Sequence, residues 1–125
     1  MMLNDSVEVI VSPSWLEEHS APDEDMYAFA YDITIHNRGS QAVKLVSRHW
    51  FITDSDGNEQ EVKGQGVMGK QPVIQPDESY HYSSGVALKT PLGSMYGYYV
   101  MQADDNTLFQ ADIPAFTLVI PGILH

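Results

Sequence analysis

The chain has no cysteine. That absence excludes a disulfide framework, thiolate zinc, an iron–sulfur cluster and a cysteine nucleophile. Cations are scarce as well: six Lys and Arg stand against 17 Asp and Glu, for a formal charge of −11. Tracking a nucleic-acid backbone requires several clustered cations, so nonspecific binding of nucleic acid is not expected. No apolar run approaches the about 18 residues of a membrane helix, so no membrane insertion is expected. The first residues, Met1-Met2-Leu3-Asn4-Asp5-Ser6, lack the basic start and apolar stretch of a signal peptide, and a cytoplasmic protein is expected. A helical stripe is missing too, because no segment carries apolar residues at 3.6-residue spacing behind a cap.

What is present is size enough for one core. A single domain spanning all 125 residues can bury roughly two-thirds of its unfolded surface without a staple or structural metal. Charge is uneven along it. Residues 1–36 hold eight acids and no Lys or Arg, whereas residues 37–72 carry five of the six cations against four acids. Any anion-binding surface is expected in that middle third.

The apolar pattern has a period of two. Tyr27, Phe29, Tyr31, Ile33 and Ile35 alternate with Ala28, Ala30, Asp32, Thr34 and His36, as in a half-buried strand. Val7, Val9 and Val11 open an earlier strand, and residues 43–53 form a third, rich in β-branched and aromatic residues. Further strands are predicted over 80–88, 95–103 and 108–120. Turns fall at Asn37-Arg38-Gly39, residues 54–58, Gln75-Pro76-Asp77 and Asp104-Asp105-Asn106. Short strands spaced by turns predict an all-β, antiparallel immunoglobulin/fibronectin III-like β-sandwich, with Trp50 buried between its sheets. Ile74-x-Pro76-x-x-x-Tyr80 also resembles a tyrosine corner, in which a Tyr hydroxyl bonds back to nearby backbone.

Several segments together resemble one family. They are Tyr27-x-Phe29-Ala30-Tyr31-x-Ile33-x-Ile35-x-Asn37, Arg48-x-Trp50-x-Ile52-Thr53-Asp54 and Glu59-x-Glu61-Val62-x-Gly64-x-Gly66-Val67-x-Gly69-x-Gln71-Pro72. Farther on come Tyr82-x-Ser84, Leu88-x-Thr90-Pro91-Leu92-Gly93-x-Met95-x-Gly97-x-Tyr99 and Ile113-Pro114-x-Phe116-x-Leu118. The chain is similar to the bacterial ApaG family over nearly its whole length. The resemblance implies a fibronectin III-like sandwich, an association with cobalt and magnesium efflux (and the alternative label CorD), and, from related domains in F-box proteins, an interaction module. It brings no catalytic residue.

One motif has a sharper alternative reading. Gly64-x-Gly66-x-x-Gly69, between Lys63 and Lys70, has the spacing of a dinucleotide-binding turn. A Rossmann turn must open a helix, however, and here Pro72 and Pro76 follow. What survives is either a loop that needs positive φ or a nest of amides at Lys63, Gly64, Gly66, Gly69 and Lys70 binding a small anion such as a nucleotide or pyrophosphate.

The remaining candidates point away from an enzyme. Glu17-Glu18-His19 and Asp23-Glu24-Asp25 carry magnesium- and cobalt-type ligands, yet nothing fixes a coordination geometry, so they read as a solvated loop and no metal or cofactor is assigned. Asp54-x-Asp56-x-Asn58 opens like a calcium loop, but glycine stands at its fourth position and Gln65 at its twelfth, so it reads as a hairpin turn. His49 and His81 have no partner that spacing identifies and are expected on the surface. Ser83-Ser84-Gly85 lacks the nucleophile-elbow pattern. Tyr80, Tyr82, Tyr96, Tyr98 and Tyr99 cannot all face inward; those exposed, beside Met95 or Met101, would form a protein-binding face. The apolar tail 120–125 is expected to dock on the body or on a second subunit, the latter giving a homodimer. The expectation is a non-enzymatic binding module with a protein partner.

Overall fold

The structure is a computed structural model that describes residues 3–122. Eight strands account for the alternation in the sequence: β1 (Val7–Trp15), β2 (Tyr27–Asn37), β3 (Val43–Asp54), β4 (Glu59–Gln65), β5 (Val73–Ile74), β6 (Ser79–Leu88), β7 (Leu92–Ala103) and β8 (Leu108–Val119). They form two antiparallel sheets. One has the order β1-β2-β6; the other has the order β4-β3-β7-β8, with the short β5 pairing beside the start of β3. This is the fibronectin III-like β-sandwich expected from the periodicity.

The strand of strict alternation behaves as written: Phe29, Tyr31, Ile33 and Ile35 are buried, while Asp32 is exposed. Trp50 from β3 is 2% exposed and meets Tyr31 of the opposite sheet edge-on at 5.3 Å. Phe116 of β8 closes the third side of that cluster. An aromatic trio linking both sheets is worth about 0.5–1.5 kcal/mol per pair beyond burial.

Two bulges set which residues face the core. In β3 the register slips between Leu45 and Ser47, leaving Val46 unpaired. Val43 and Leu45 point inward before it; Arg48, Trp50 and Ile52 do so after it. Without the bulge, His49 and Phe51 would enter the core and Trp50 would face water. A second slip on β8 around Pro114 and Ala115 moves the inward set from Ala111 and Ile113 to Phe116 and Leu118.

The predicted turns are present. Asp54 Oδ1 accepts from the amides of Asp56 and Asn58, and Gly57 takes φ +86°, which makes residues 54–58 a hairpin turn. Asp77 and Asn106 adopt left-handed φ in their turns. The tyrosine corner does not form in the expected way, since among the described residues the Tyr80 hydroxyl has no backbone partner and Tyr80 lies on β6 beside Tyr82. The corner is tied by Asn37 instead. Residues 16–26 join β1 to β2 through two short 3-10 turns, Glu17–His19 and Pro22–Glu24, on the surface. Of the tail 120–125, Ile120 docks on the body, packed against the core with its amide donating to Pro91 O at 3.2 Å, and residues 123–125 lie outside the described residues.

Candidate functional site

The glycine motif becomes a strand end and a tight hairpin. β4 pairs with β3, placing Gly64 opposite Arg48. The chain then turns at Val67-Met68-Gly69-Lys70, with φ +51° at Met68 and +77° at Gly69. The amides of Val67 and Lys70 donate to each other's carbonyls, at 2.8 and 2.9 Å. Two central residues with positive φ make this a type I′ turn. Met68 is an unfavourable occupant of its first central position. Met68→Asn is expected to raise stability by about 0.5–1 kcal/mol, read as an upward Tm shift in a thermal melt.

Each glycine has its own reason. Gly69 lies at the tip with open space around it, so only its φ selects it. Gly66 has φ +58°, and a Cβ there would stand 2.0 Å from the Lys70 carbonyl oxygen. Gly64 lets the Arg48 guanidinium lie flat against its Cα, where a Cβ would be 2.6–2.7 Å from three guanidinium atoms. The amides do not converge outward. That of Gly66 donates to Val46 O at 2.8 Å, and those of Val67 and Lys70 close the turn. Lys63 Nζ is 3.2 Å from Glu61 Oε1. Of the candidate anion set, the structure brings Gly64 and Gly66 together around a cation, but that cation is Arg48.

Arg48 occupies the mouth of the sandwich. Its Nη1 donates to the carbonyls of Gln65, at 3.1 Å, and Gly66, at 2.9 Å. The side chain borders a cavity of about 130 Å³ whose other walls include Tyr31, Trp50, Met68, Tyr82 and Ser84. Beside it the hydroxyls of Tyr82 and Tyr99 bond to one another. Burial pushes both phenols well above their ordinary range, against the weaker opposing field of Arg48.

The opposite, solvent-facing side of the five-stranded sheet carries an aromatic ladder. His49 stacks on Phe51 at 4.6 Å, and Phe51 on Tyr96 at 5.0 Å. Tyr98 lies alongside, its hydroxyl 2.7 Å from His49 Nδ1. Tyr96 is 46% exposed. Glu61, Lys63 and Asp112 stand opposite Phe51, His49 and Tyr98 in the register and so share this face. Glu61 Oε1 is 3.1 Å from His49 Nε2, and its carboxyl is held below its usual range chiefly by the Lys63 ammonium. A groove of about 330 Å³ runs past His49, Lys63, Tyr98 and Val100.

The tyrosine expectation is therefore corrected in part. Tyr99, Met95 and Met101 are buried in the core at 0–1% exposure, and Tyr80 and Tyr82 pack partly against it. Only Tyr96 and Tyr98 of that group serve the outer face, joined by His49 and Phe51, which alternation across an unrecognised bulge could not place. His49 is half-buried rather than a free surface base. His81 is exposed and bonds Thr34 Oγ1 at 2.9 Å. Among the described residues no three His, Asp or Glu side chains converge to hold a metal ion.

Comparison with known proteins agrees over nearly the whole chain. The ApaG domain matches residues 17–103. "Protein ApaG" of Thiobacillus denitrificans is 52% identical over 95% of this chain and 94% of its own. That of Shewanella pealeana is 52% identical over 96% and 95%. A structural-genomics X-ray structure superposes with a TM-score of 0.94 at 46% identity, covering 99% of this chain and 94% of its own. A Bordetella pertussis crystal structure does so with a TM-score of 0.90 at 40% identity, covering 93% and 94%.

Proposed function

The chain belongs to the ApaG domain family, and on that premise we propose that it is a non-enzymatic binding module whose docking surface is the aromatic face of the five-stranded sheet. The observation that carries the reading is the ladder His49–Phe51–Tyr96. The inner face of this sheet already supplies the core, so its outer face would ordinarily be polar. A stacked ladder on that face, half-buried except for the exposed Tyr96, presents residue types that dominate protein interfaces.

Charge indicates the partner's chemistry. Glu59, Glu61 and Asp112 share the face with Lys63, which is already paired with Glu61, while Lys44 lies at the far end of the same face, beside Gln102. The whole chain is strongly acidic. The surface suits a protein segment bearing Arg or Lys, whose cations would sit over Tyr96 and Phe51 and between the carboxylates. The route from such a module to cobalt and magnesium efflux, which the family resemblance implies, would run through that partner.

A catalytic use of His49 has less support. Its Nδ1 is bonded to the Tyr98 hydroxyl and its ring is stacked, while Nε2 lies 3.1 Å from the Glu61 carboxylate without a hydrogen bond and is buried from solvent. Nδ1 is occupied and Nε2 is covered, so neither nitrogen is open to a substrate.

The test pairs affinity capture with a folded variant. Phe51→Thr with Tyr96→Ala keeps the backbone and removes the ladder. Wild type is expected to retain a discrete basic protein that salt releases, and the variant to bind that purified protein roughly thirtyfold more weakly. Equal binding by a variant with an unchanged melt would overturn the assignment.

A further inference from the structure

We propose that the cavity at the mouth of the sandwich, under the residue 66–70 hairpin, binds a small oxyanion, a phosphate or carboxylate group, on the Arg48 guanidinium. The site is on the opposite side of β3 from the aromatic ladder and stands independently of it.

Arg48 is distinguished by the company it keeps. Acids outnumber cations 17 to six in this chain, and Arg38 and Lys63 both have a carboxylate within 4.0 Å. Among the described residues Arg48, like Lys44, Lys70 and Lys89, has none, and it alone of these four has its charged head bonded to backbone carbonyls at the mouth of the sandwich. A partly desolvated guanidinium with only neutral partners favours an anion beside it.

The orientation of its guanidinium points the same way. A guanidinium has five N–H donors. The two on Nη1 are directed at the Gln65 and Gly66 carbonyls. These bonds, with the flat seat on Gly64, fix the plane and leave the Nε and Nη2 edge as a fork. That fork matches two oxygens of one phosphate or carboxylate. The seat exists only because residue 64 is glycine.

The cavity lining suits an anion as well. Tyr99 is fully buried, and among the described residues its hydroxyl meets only that of Tyr82. When Tyr99 donates to Tyr82, the Tyr82 proton is free to donate toward the cavity. Ser84 adds a second hydroxyl. A tyrosine is already neutral at neutral pH and burial pushes both phenols further up, so the cavity wall carries no phenolate to repel an anion.

Size sets the ligand class. The cavity volume of about 130 Å³ equals roughly four waters of liquid and falls below the roughly 300 Å³ at which sites for larger organic ligands begin. It has room for a phosphate or a small carboxylate group.

The experiment is an NMR titration of the full chain with sodium phosphate, sodium acetate and sodium chloride at matched ionic strength, following the Arg48 Nε–H and the Gly69 and Ser84 amides. Saturable shifts with phosphate or acetate, absent with chloride, are expected; which of the two saturates identifies the oxyanion. Arg48→Lys, which loses the fork, and Gly64→Ala, whose methyl displaces the guanidinium, are each expected to weaken binding at least roughly tenfold. Lys63→Ala and Lys70→Ala are expected to leave it unchanged. Shifts that track ionic strength alike for all three salts overturn the proposal. So does full binding by both Arg48→Lys and Gly64→Ala, or a loss that follows the lysines instead.

Discussion

Gly97→Ala is expected to destabilise the fold by about 3–4 kcal/mol, lowering Tm by roughly 10–15 °C. Gly97 lies in the middle of β7, opposite Trp50 on one neighbour and Ile113 on the other. A Cβ there would fall 2.0 Å from the His49 carbonyl oxygen, and real Cβ atoms essentially never come within 3.0 Å of such a neighbour. The obstacle is backbone, so no rotamer change relieves it. β3 and β7 would have to separate where the Trp50–Tyr31–Phe116 cluster joins the sheets. A thermal melt that moves by less than about 3 °C, under 1 kcal/mol for a domain of this length, would show that the close approach is relieved at little cost.

The second large effect belongs to Asn37. Its side chain is fully buried and makes three bonds: Nδ2 donates to Gln41 O at 2.8 Å and Ile74 O at 2.9 Å, and Oδ1 accepts from the Gly39 amide at 2.9 Å. Its backbone reaches the same corner, since its amide donates to Glu78 O and its carbonyl accepts from the Asp77 amide. One residue thus joins the β2–β3 turn to the approach to β6. Asn37→Ala leaves two carbonyls and an amide without their partner, and the Ile74 carbonyl is beyond easy reach of water. At about 1–3 kcal/mol per buried unsatisfied group, partly offset where water enters, the expected loss is about 3 kcal/mol. Asn37→Asp keeps the shape and the bond from Gly39 but replaces both donors with a carboxylate facing carbonyls, and is expected to cost at least as much at neutral pH. Chemical denaturation checks both. A midpoint equal to wild type for either variant would remove Asn37 from the list of structural ties.

These two residues differ in how visible they were. Asn37 stood in a recognisable turn sequence, though its burial did not follow from it. Gly97 gave no signal beyond being a glycine in a strand. β4 was missed as a strand for a related reason: Glu59-Gln60-Glu61-Val62-Lys63-Gly64-Gln65 has no apolar alternation. It is an edge strand held by backbone pairing to β3, with charged side chains that discourage further pairing.

The all-β class, six of the strands, the alternating core of β2, the burial of Trp50, the turns and the ApaG resemblance are all legible in the amino-acid order. All of these are local patterns, or sums of local patterns, and period-two alternation survives whatever the tertiary arrangement. Which cation meets Gly64, and why three glycines at nucleotide-binding spacing are needed for three unrelated reasons, emerge only once strands distant in the chain are paired. The bulge at Val46 reconciles inward Val43 and Leu45 with inward Trp50. One unpaired residue exchanges the two faces of β3, sending Arg48 and Trp50 inward and His49 and Phe51 outward, and cross-strand register then assigns each its neighbours.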